Sequence, residues 1–280
     1  MKTPQSTKQI LVIAGVLVLT AAMYFAPRKT KESVAEVKLA TQPMAPSINF
    51  DERLRDVKKG IPSSELKKIS DIEIAVDKAA QTDKAKLLDS LGKTYDRFQL
   101  PDVAAHYYEE IAKKGSVEKD WLNAAYRYFD AFRASEDSLL RNAYVQKAIV
   151  CYVRVLEINP NNLDAKTDLG VCYTETPQPM QGIMMLREVV KSKPDHENAQ
   201  MNLGLLSVRS KQFDRAIERF IKVIEINPKR EEAYLYLGKS YAETGNKAKA
   251  IETFKKYLSI SKNAEMKNTV KEYIEQLRKI

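Results

Sequence analysis

Two histidines, two cysteines and the Ser-x-x-Lys steps at Ser64 and Ser116 are residues of this chain that could do chemistry. His106 and His196 are far apart, and a metal site needs three or four converging ligands, so neither is expected to hold one. His196-Glu197 opens like a zinc-protease helix but continues Asn198-Ala199-Gln200, so the second histidine is missing. A surface histidine is expected at both places. Ser64-Glu65-Leu66-Lys67 and Ser116-Val117-Glu118-Lys119 have the spacing of a lysine-activated serine, yet a Lys-rich helical sequence produces it freely and the companion motifs are absent. The glycines form neither a phosphate loop nor a dinucleotide fingerprint. The reading is therefore no catalytic residue, no metal, no cofactor and no enzyme. Cys151 and Cys172 read as two small buried side chains, although their places on successive antiparallel helices leave a disulfide conceivable in an oxidising compartment.

These residues must be carried on helices. With 280 residues and only nine glycines, the chain is rich in Ala, Leu, Glu, Lys and Arg, and helix propensity is favourable nearly everywhere after residue 64. The formal charge of +9 does not point to nucleic acid. Residues 1–50 hold six Lys and Arg against two acidic residues, so +4 lies there and only +5 is spread over the remaining chain. An excess that small, intermixed with Glu and Asp, reads as a solvated helical surface.

After a short tail (1–9), residues 10–26 form an uncharged run, ILVIAGVLVLTAAMYFA, of 17 residues. As a helix it would span roughly 25 Å, the short end of a membrane crossing. Lys2 and Lys8 precede it, and Tyr24 and Phe25 sit where an interfacial aromatic belt would fall. An uncleaved anchor is the favoured reading; a signal peptide cut near Thr20, Ala21 and Ala22 and a buried helix are the alternatives. Arg28, Lys29, Lys31 and Lys38 after the run would by number draw the C-terminal side into the cytoplasm. The basic stub and free amine before an apolar run are how export signals begin, and the N-terminus is expected on the cytoplasmic side. Residues 27–48 mix Pro, Thr, Ser, Lys and Ala without an apolar period, as a spacer does.

Beyond the spacer a 34-residue step recurs. It relates Leu169, Leu203 and Leu237; Gly170, Gly204 and Gly238; Ala165, Ala199 and Ala233; Leu186, Phe220 and Phe254; and Pro160, Pro194 and Pro228. Glu157-Ile158-Asn159-Pro160 returns as Glu225-Ile226-Asn227-Pro228. This pattern resembles the tetratricopeptide repeat (TPR), whose first helix carries a large residue, Leu-Gly and Tyr, and whose second carries Ala, Phe and a closing Pro. In the last unit these are Tyr234, Leu237, Gly238, Tyr241, Ala250 and Phe254. The resemblance implies an all-α fold, a right-handed α-α superhelix or solenoid, preceded here by a single transmembrane helix. Five units are expected over 85–264 (85–117, 118–162, 163–196, 197–230 and 231–264). The second carries about eleven extra residues near Ala134 to Gln146 that could lengthen both its helices. The third departs from the pattern with Gly182 in place of Ala and with Pro177 and Pro179 in its turn.

A solenoid end needs a cover. Residues 265–280 supply Met266, Val270, Ile274, Leu277 and Ile280 on one helical face, and residues 49–84 supply a helix bearing Leu66, Ile69, Ile72 and Val76, with Ser64 as its cap. In repeats of this kind partners lie along the first helices, which here puts Leu122, Tyr126, Phe129, Val171, Met201, Leu205, Val208, Leu235 and Lys239 in an apolar groove. The Lys and Asn of a chaperone-binding carboxylate clamp are absent from the fifth and ninth places, so a chaperone's acidic C-terminus is not the expected ligand. The groove is expected to take a helix or extended peptide of a protein partner, unless the Leu66–Val76 helix or a second copy covers it. The chain thus resembles membrane-anchored repeat adaptors and assembly factors of the bacterial envelope, including those that escort apocytochromes, with its repeats on the periplasmic side of the inner membrane. A self-associating scaffold, a homo-oligomer without a separate client, is the alternative.

Overall fold

The computed structural model describes residues 48–279; the expected membrane segment, most of the spacer and Ile280 lie outside them. Thirteen helices, and no strand, occur among the described residues. They are α1 (Phe50–Lys58), α2 (Ser63–Lys78), α3 (Gln81–Arg97), α4 (Pro101–Gly115), α5 (Glu118–Ala134), α6 (Ser138–Ile158), α7 (Leu163–Thr174), α8 (Pro179–Ser192), α9 (Glu197–Arg209), α10 (Phe213–Ile226), α11 (Glu231–Glu243), α12 (Lys247–Ile260) and α13 (Ala264–Lys279). From α3 to α12 they form five antiparallel pairs. Each second helix also packs on the first helix of the following pair, and first helices α7, α9 and α11 touch in succession. This is an all-α array of tetratricopeptide-type hairpins.

The glycines explain the recurring pattern by space alone. A Cβ added to Gly238 would stand 2.5 Å from Cε1 of Phe254, and one on Gly204 would stand 2.6 Å from the same atom of Phe220. Each ring therefore lies flat on the backbone of the partner helix, and any side chain at the glycine would push the pair apart. In the third pair the ring is replaced by Leu186 and the helices approach until Gly182 meets the backbone at Gly170, closer than any Cβ would allow. The apolar clusters are shared between units: Met201 of α9, Phe220 and Val223 of α10 and Leu237 of α11 form one of them. At the end of the array α13 lays Val270, Ile274 and Leu277 over Phe254 and Tyr257.

Helix ends show why Glu-Ile-Asn-Pro is written twice. Asn159 and Asn227 are C-caps, and the Pro that follows each cannot continue a helix. Their side chains accept the amides of Asn161 and Lys229 and donate to Glu118 and Glu197, the first residues of α5 and α9. Each asparagine thus ties the close of a pair to its own beginning. Inside three pairs the turn passes through a left-handed residue, Gln99 (φ 55°), Lys211 (φ 57°) or Gly245 (φ 77°). Pro177 occupies the equivalent place in the third pair and cannot adopt that conformation. The buried Thr176 closes this turn instead, donating from its hydroxyl to the Tyr173 carbonyl and accepting the Gln178 amide.

Residues 118–158 hold longer helices than the units that follow, α5 with 17 residues and α6 with 21, against 12 to 14 for the helices from α7 to α12. At the N-terminal end α2 packs on α3, and α1 docks on α4 through Phe50 stacked on His106 at 3.4 Å and Arg53 paired with Asp102 at 2.5 Å. The sequence expectation for the cap of α2 is corrected here. The helix begins one residue before Ser64, the N-cap is Pro62, and no side chain caps it. Buried Glu109 joins α4, α5 and α6 by accepting from the Tyr128 hydroxyl at 2.5 Å and from Lys147 at 3.1 Å. Burial alone would raise its pKa, but that hydrogen bond and the ammonium groups of Lys147 and Lys113 outweigh it and hold the carboxyl below its ordinary range.

Candidate functional site

The side chains with chemical promise are placed for structure. Ser64 and Lys67 are exposed on α2, and Ser116 is the exposed left-handed C-cap of α4. Cys151 and Cys172 are free and fully buried, and burial pushes both thiols well above their usual range, so neither is a thiolate near neutral pH. The expected surface position of the histidines is also corrected. His196 is only 7% exposed, because it serves as the N-cap of α9: its Nδ1 accepts the Ala199 amide at 3.3 Å, and its Nε2 lies 3.3 Å from Asp164. His106 lies under Phe50, and its burial lowers its pKa. Among the described residues no group of three His, Cys, Asp or Glu is placed to hold a metal ion.

Open space gathers along the first helices of the pairs. A cavity of about 720 Å³ crosses α5, α7, α9 and α11. Its apolar lining comes from Phe129 and Phe132 of α5, Val171 of α7, Met201, Leu205 and Leu206 of α9, and Tyr236 of α11; Asn198 and Asn202 supply amides. A second cavity of about 620 Å³ lies between α9, α11 and α13, with Val208, Leu235, Met266 and Tyr273 in its wall and Lys239 at its edge. Arg209 lines both. No residue of α2 lines either one.

The nine groove residues read from the sequence divide between these spaces. Phe129, Val171, Met201 and Leu205 line the first, and Val208, Leu235 and Lys239 line the second. Leu122 and Tyr126 line neither; Tyr126 is 39% exposed and meets Tyr152 edge to face at 6.0 Å. Met201, at 4% exposure, belongs to the apolar cluster between α9, α10 and α11, while Leu205 packs against that cluster and is half-buried. The sequence reading gave an apolar strip and missed four arginines, Arg133, Arg141, Arg209 and Arg230, in the lining of the first cavity. Arg133 and Arg141 come from the end of α5 and the start of α6, the stretch with no counterpart in the 34-residue step, so periodicity carries no signal for them.

One carboxyl beside this region is strongly perturbed. Asp168 of α7 is pushed up to about 7, mainly by burial and then by the charge of Asp164, while the Tyr152 hydroxyl beside it works in the opposite direction. Asp168 occupies the place that Asn202 and Tyr236 hold in the next two units, 34 and 68 residues on.

Known proteins resemble the chain in limited ways. The family model described as RMD1-3, regulator of microtubule dynamics protein 1-3, matches residues 204–280, about the last quarter of the chain. No curated protein matches. Among solved structures, MamA is 20% identical over 64% of this chain and 92% of its own, with a TM-score of 0.49. MamA from Desulfovibrio magneticus RS-1 is 22% identical over 65% and 97%, also at 0.49. YrrB, a TPR protein with an unusual peptide-binding site, is 18% identical over 72% and 97%, at 0.45. These are likenesses of fold.

Proposed function

We propose that this protein is a non-catalytic adaptor or assembly factor that holds a helix or extended peptide of another protein along the first helices of its repeats. The observation that carries the reading is the cavity of about 720 Å³, which has an apolar floor and is built from four successive units. No single hairpin could form such a surface, and it has the size and mixed lining of a recognition site. Residues 10–26 would tether the chain as a single-pass anchor in a bacterial inner membrane, with the repeats on the periplasmic side. The uncharged run and the lysines before it support that placement.

A photo-crosslinking residue in place of Asn202, used in native membranes and followed by mass spectrometry, tests the reading. A discrete protein partner is expected, and Leu205→Glu, which puts a charge on the apolar floor, should abolish the crosslink while helical content is unchanged. Persistence of the crosslink in that variant would refute the site. Carbonate extraction tests the tether: the full chain should stay with the membrane and a chain lacking residues 1–26 should not. Self-association is the second reading, favoured by Met180 and Met184, each 59% exposed one turn apart on α8. Light scattering of the full chain in detergent, at one or several copies per particle, separates it from the first.

A further inference from the structure

Charge around the first cavity is unevenly committed. Four arginines line it against two carboxylates, Glu175 and Glu232. Arg209 is paired with Glu175 at 2.8 Å, and Arg230 with Glu197 at 3.1 Å and Glu232 at 2.9 Å. Arg141 has only neutral acceptors, the carbonyls of Phe132 at 3.1 Å and Ser135 at 3.3 Å, and its guanidinium lies 4.4 Å over the Phe132 ring. Carbonyl dipoles and a ring face orient a guanidinium but leave its full charge uncancelled. Arg133 is exposed and belongs to none of the ion pairs formed among the described residues. Of its acidic neighbours in the turn, Glu136 is exposed and forms no ion pair, and Asp137 is the N-cap of α6, accepting the amides of Leu139 and Leu140. One wall of the cavity therefore presents two guanidinium groups that form no ion pair with a carboxylate.

We propose that the occupant of this cavity is an acidic amphipathic segment of another protein, with apolar side chains on Phe129, Val171 and Leu205 and a carboxylate at Arg133 and Arg141. This rests on the reading that the cavity is the binding site. Two guanidinium groups that form no ion pair, standing on a partly enclosed wall, attract a carboxylate and repel a basic segment of the same apolar pattern. The guanidinium fork adds geometry, since two parallel N–H donors match the two oxygens of a carboxylate. A second copy of this chain is a poorer occupant, because the chain is itself positive, at +9.

The test uses the full chain in a non-ionic detergent and three fluorescent synthetic amphipathic peptides of one leucine pattern, with their polar positions filled by Glu, Gln or Lys. Fluorescence anisotropy should show the Glu peptide binding about tenfold more tightly than the Gln peptide, the worth of one charge-assisted hydrogen bond, and the Lys peptide binding most weakly. Arg133→Glu should erase the order, and added salt should compress it. Arg187→Glu, an equal charge change at an exposed residue of α8 outside the lining of this cavity, should leave it intact. If all three peptides bind alike and all are lost in Leu205→Glu, the acidic preference is refuted and the binding site stands. A Glu preference that survives Arg133→Glu refutes the assigned wall, and no binding by any peptide refutes both proposals.

Discussion

Replacing Asp168 by Asn should stabilise the protein, and only above acidic pH. The carboxyl ordinarily ionises near 3.8 and is held neutral to about 7 in the folded chain, first by burial and then by Asp164. A group whose folded pKa is raised contributes its full stability below the unfolded value and loses it as pH rises through the folded value. Wild-type stability should therefore fall between about pH 4 and pH 7 and then level off. The ionised form is disfavoured in its site by on the order of 4 kcal/mol. Asparagine has the same shape and no charge, and at the equivalent place Asn202 already donates from its side chain to the Asn198 carbonyl at 2.8 Å. Asp168→Asn should thus match wild type near pH 4, then gain with rising pH up to about 4 kcal/mol, or about 10 °C in midpoint, by pH 8. Urea and thermal unfolding followed by circular dichroism across that range make the measurement. Wild-type and variant curves that run parallel in pH would refute the reasoning, because a site that does not disfavour the carboxylate has nothing for the amide to relieve.

Two further perturbations probe the fold. Gly238→Ala would raise helix propensity, but its Cβ would stand 2.5 Å from the Phe254 ring, so a loss of about 1–3 kcal/mol is expected in urea unfolding. Adding Phe254→Leu, which imitates the Gly170 and Leu186 pair of the third unit, should recover part of it. Lys211→Gly, at a φ of 57°, should stabilise by about 1 kcal/mol in the same assay by removing a side chain from a left-handed turn. An unchanged midpoint there would mean that the turn is not strained.

Much of the architecture was legible in the residues. A helix presents the same face every 3.6 residues, so small and bulky side chains returning at a constant step must meet their partners in the same way each time. Gly204 under Phe220 and Gly238 under Phe254 do so. The final helix was readable for the same reason: Val270, Ile274 and Leu277 recur at steps of four and three, and they cover the last pair. Local chemistry was less readable wherever one residue could serve two purposes. His196 looks like a surface histidine in sequence and becomes a buried cap because the preceding Lys193-Pro194 ends α8 and Asp164 of another helix approaches it.

The sequence by itself determined the helices, their pairing and the apolar residues of their faces, since these follow from backbone periodicity and from where proline forbids a helix to continue. Only the tertiary structure decided what those faces enclose. Phe129, Val171 and Leu205 became one floor, Met201 sank into the core, and Arg133 and Arg141 came to stand over the cavity from α5 and α6, outside the repeating step. Helix lengths and the stacking of hairpins bring together side chains far apart along the chain, and no spacing within the sequence records which charges will then face one another unpaired.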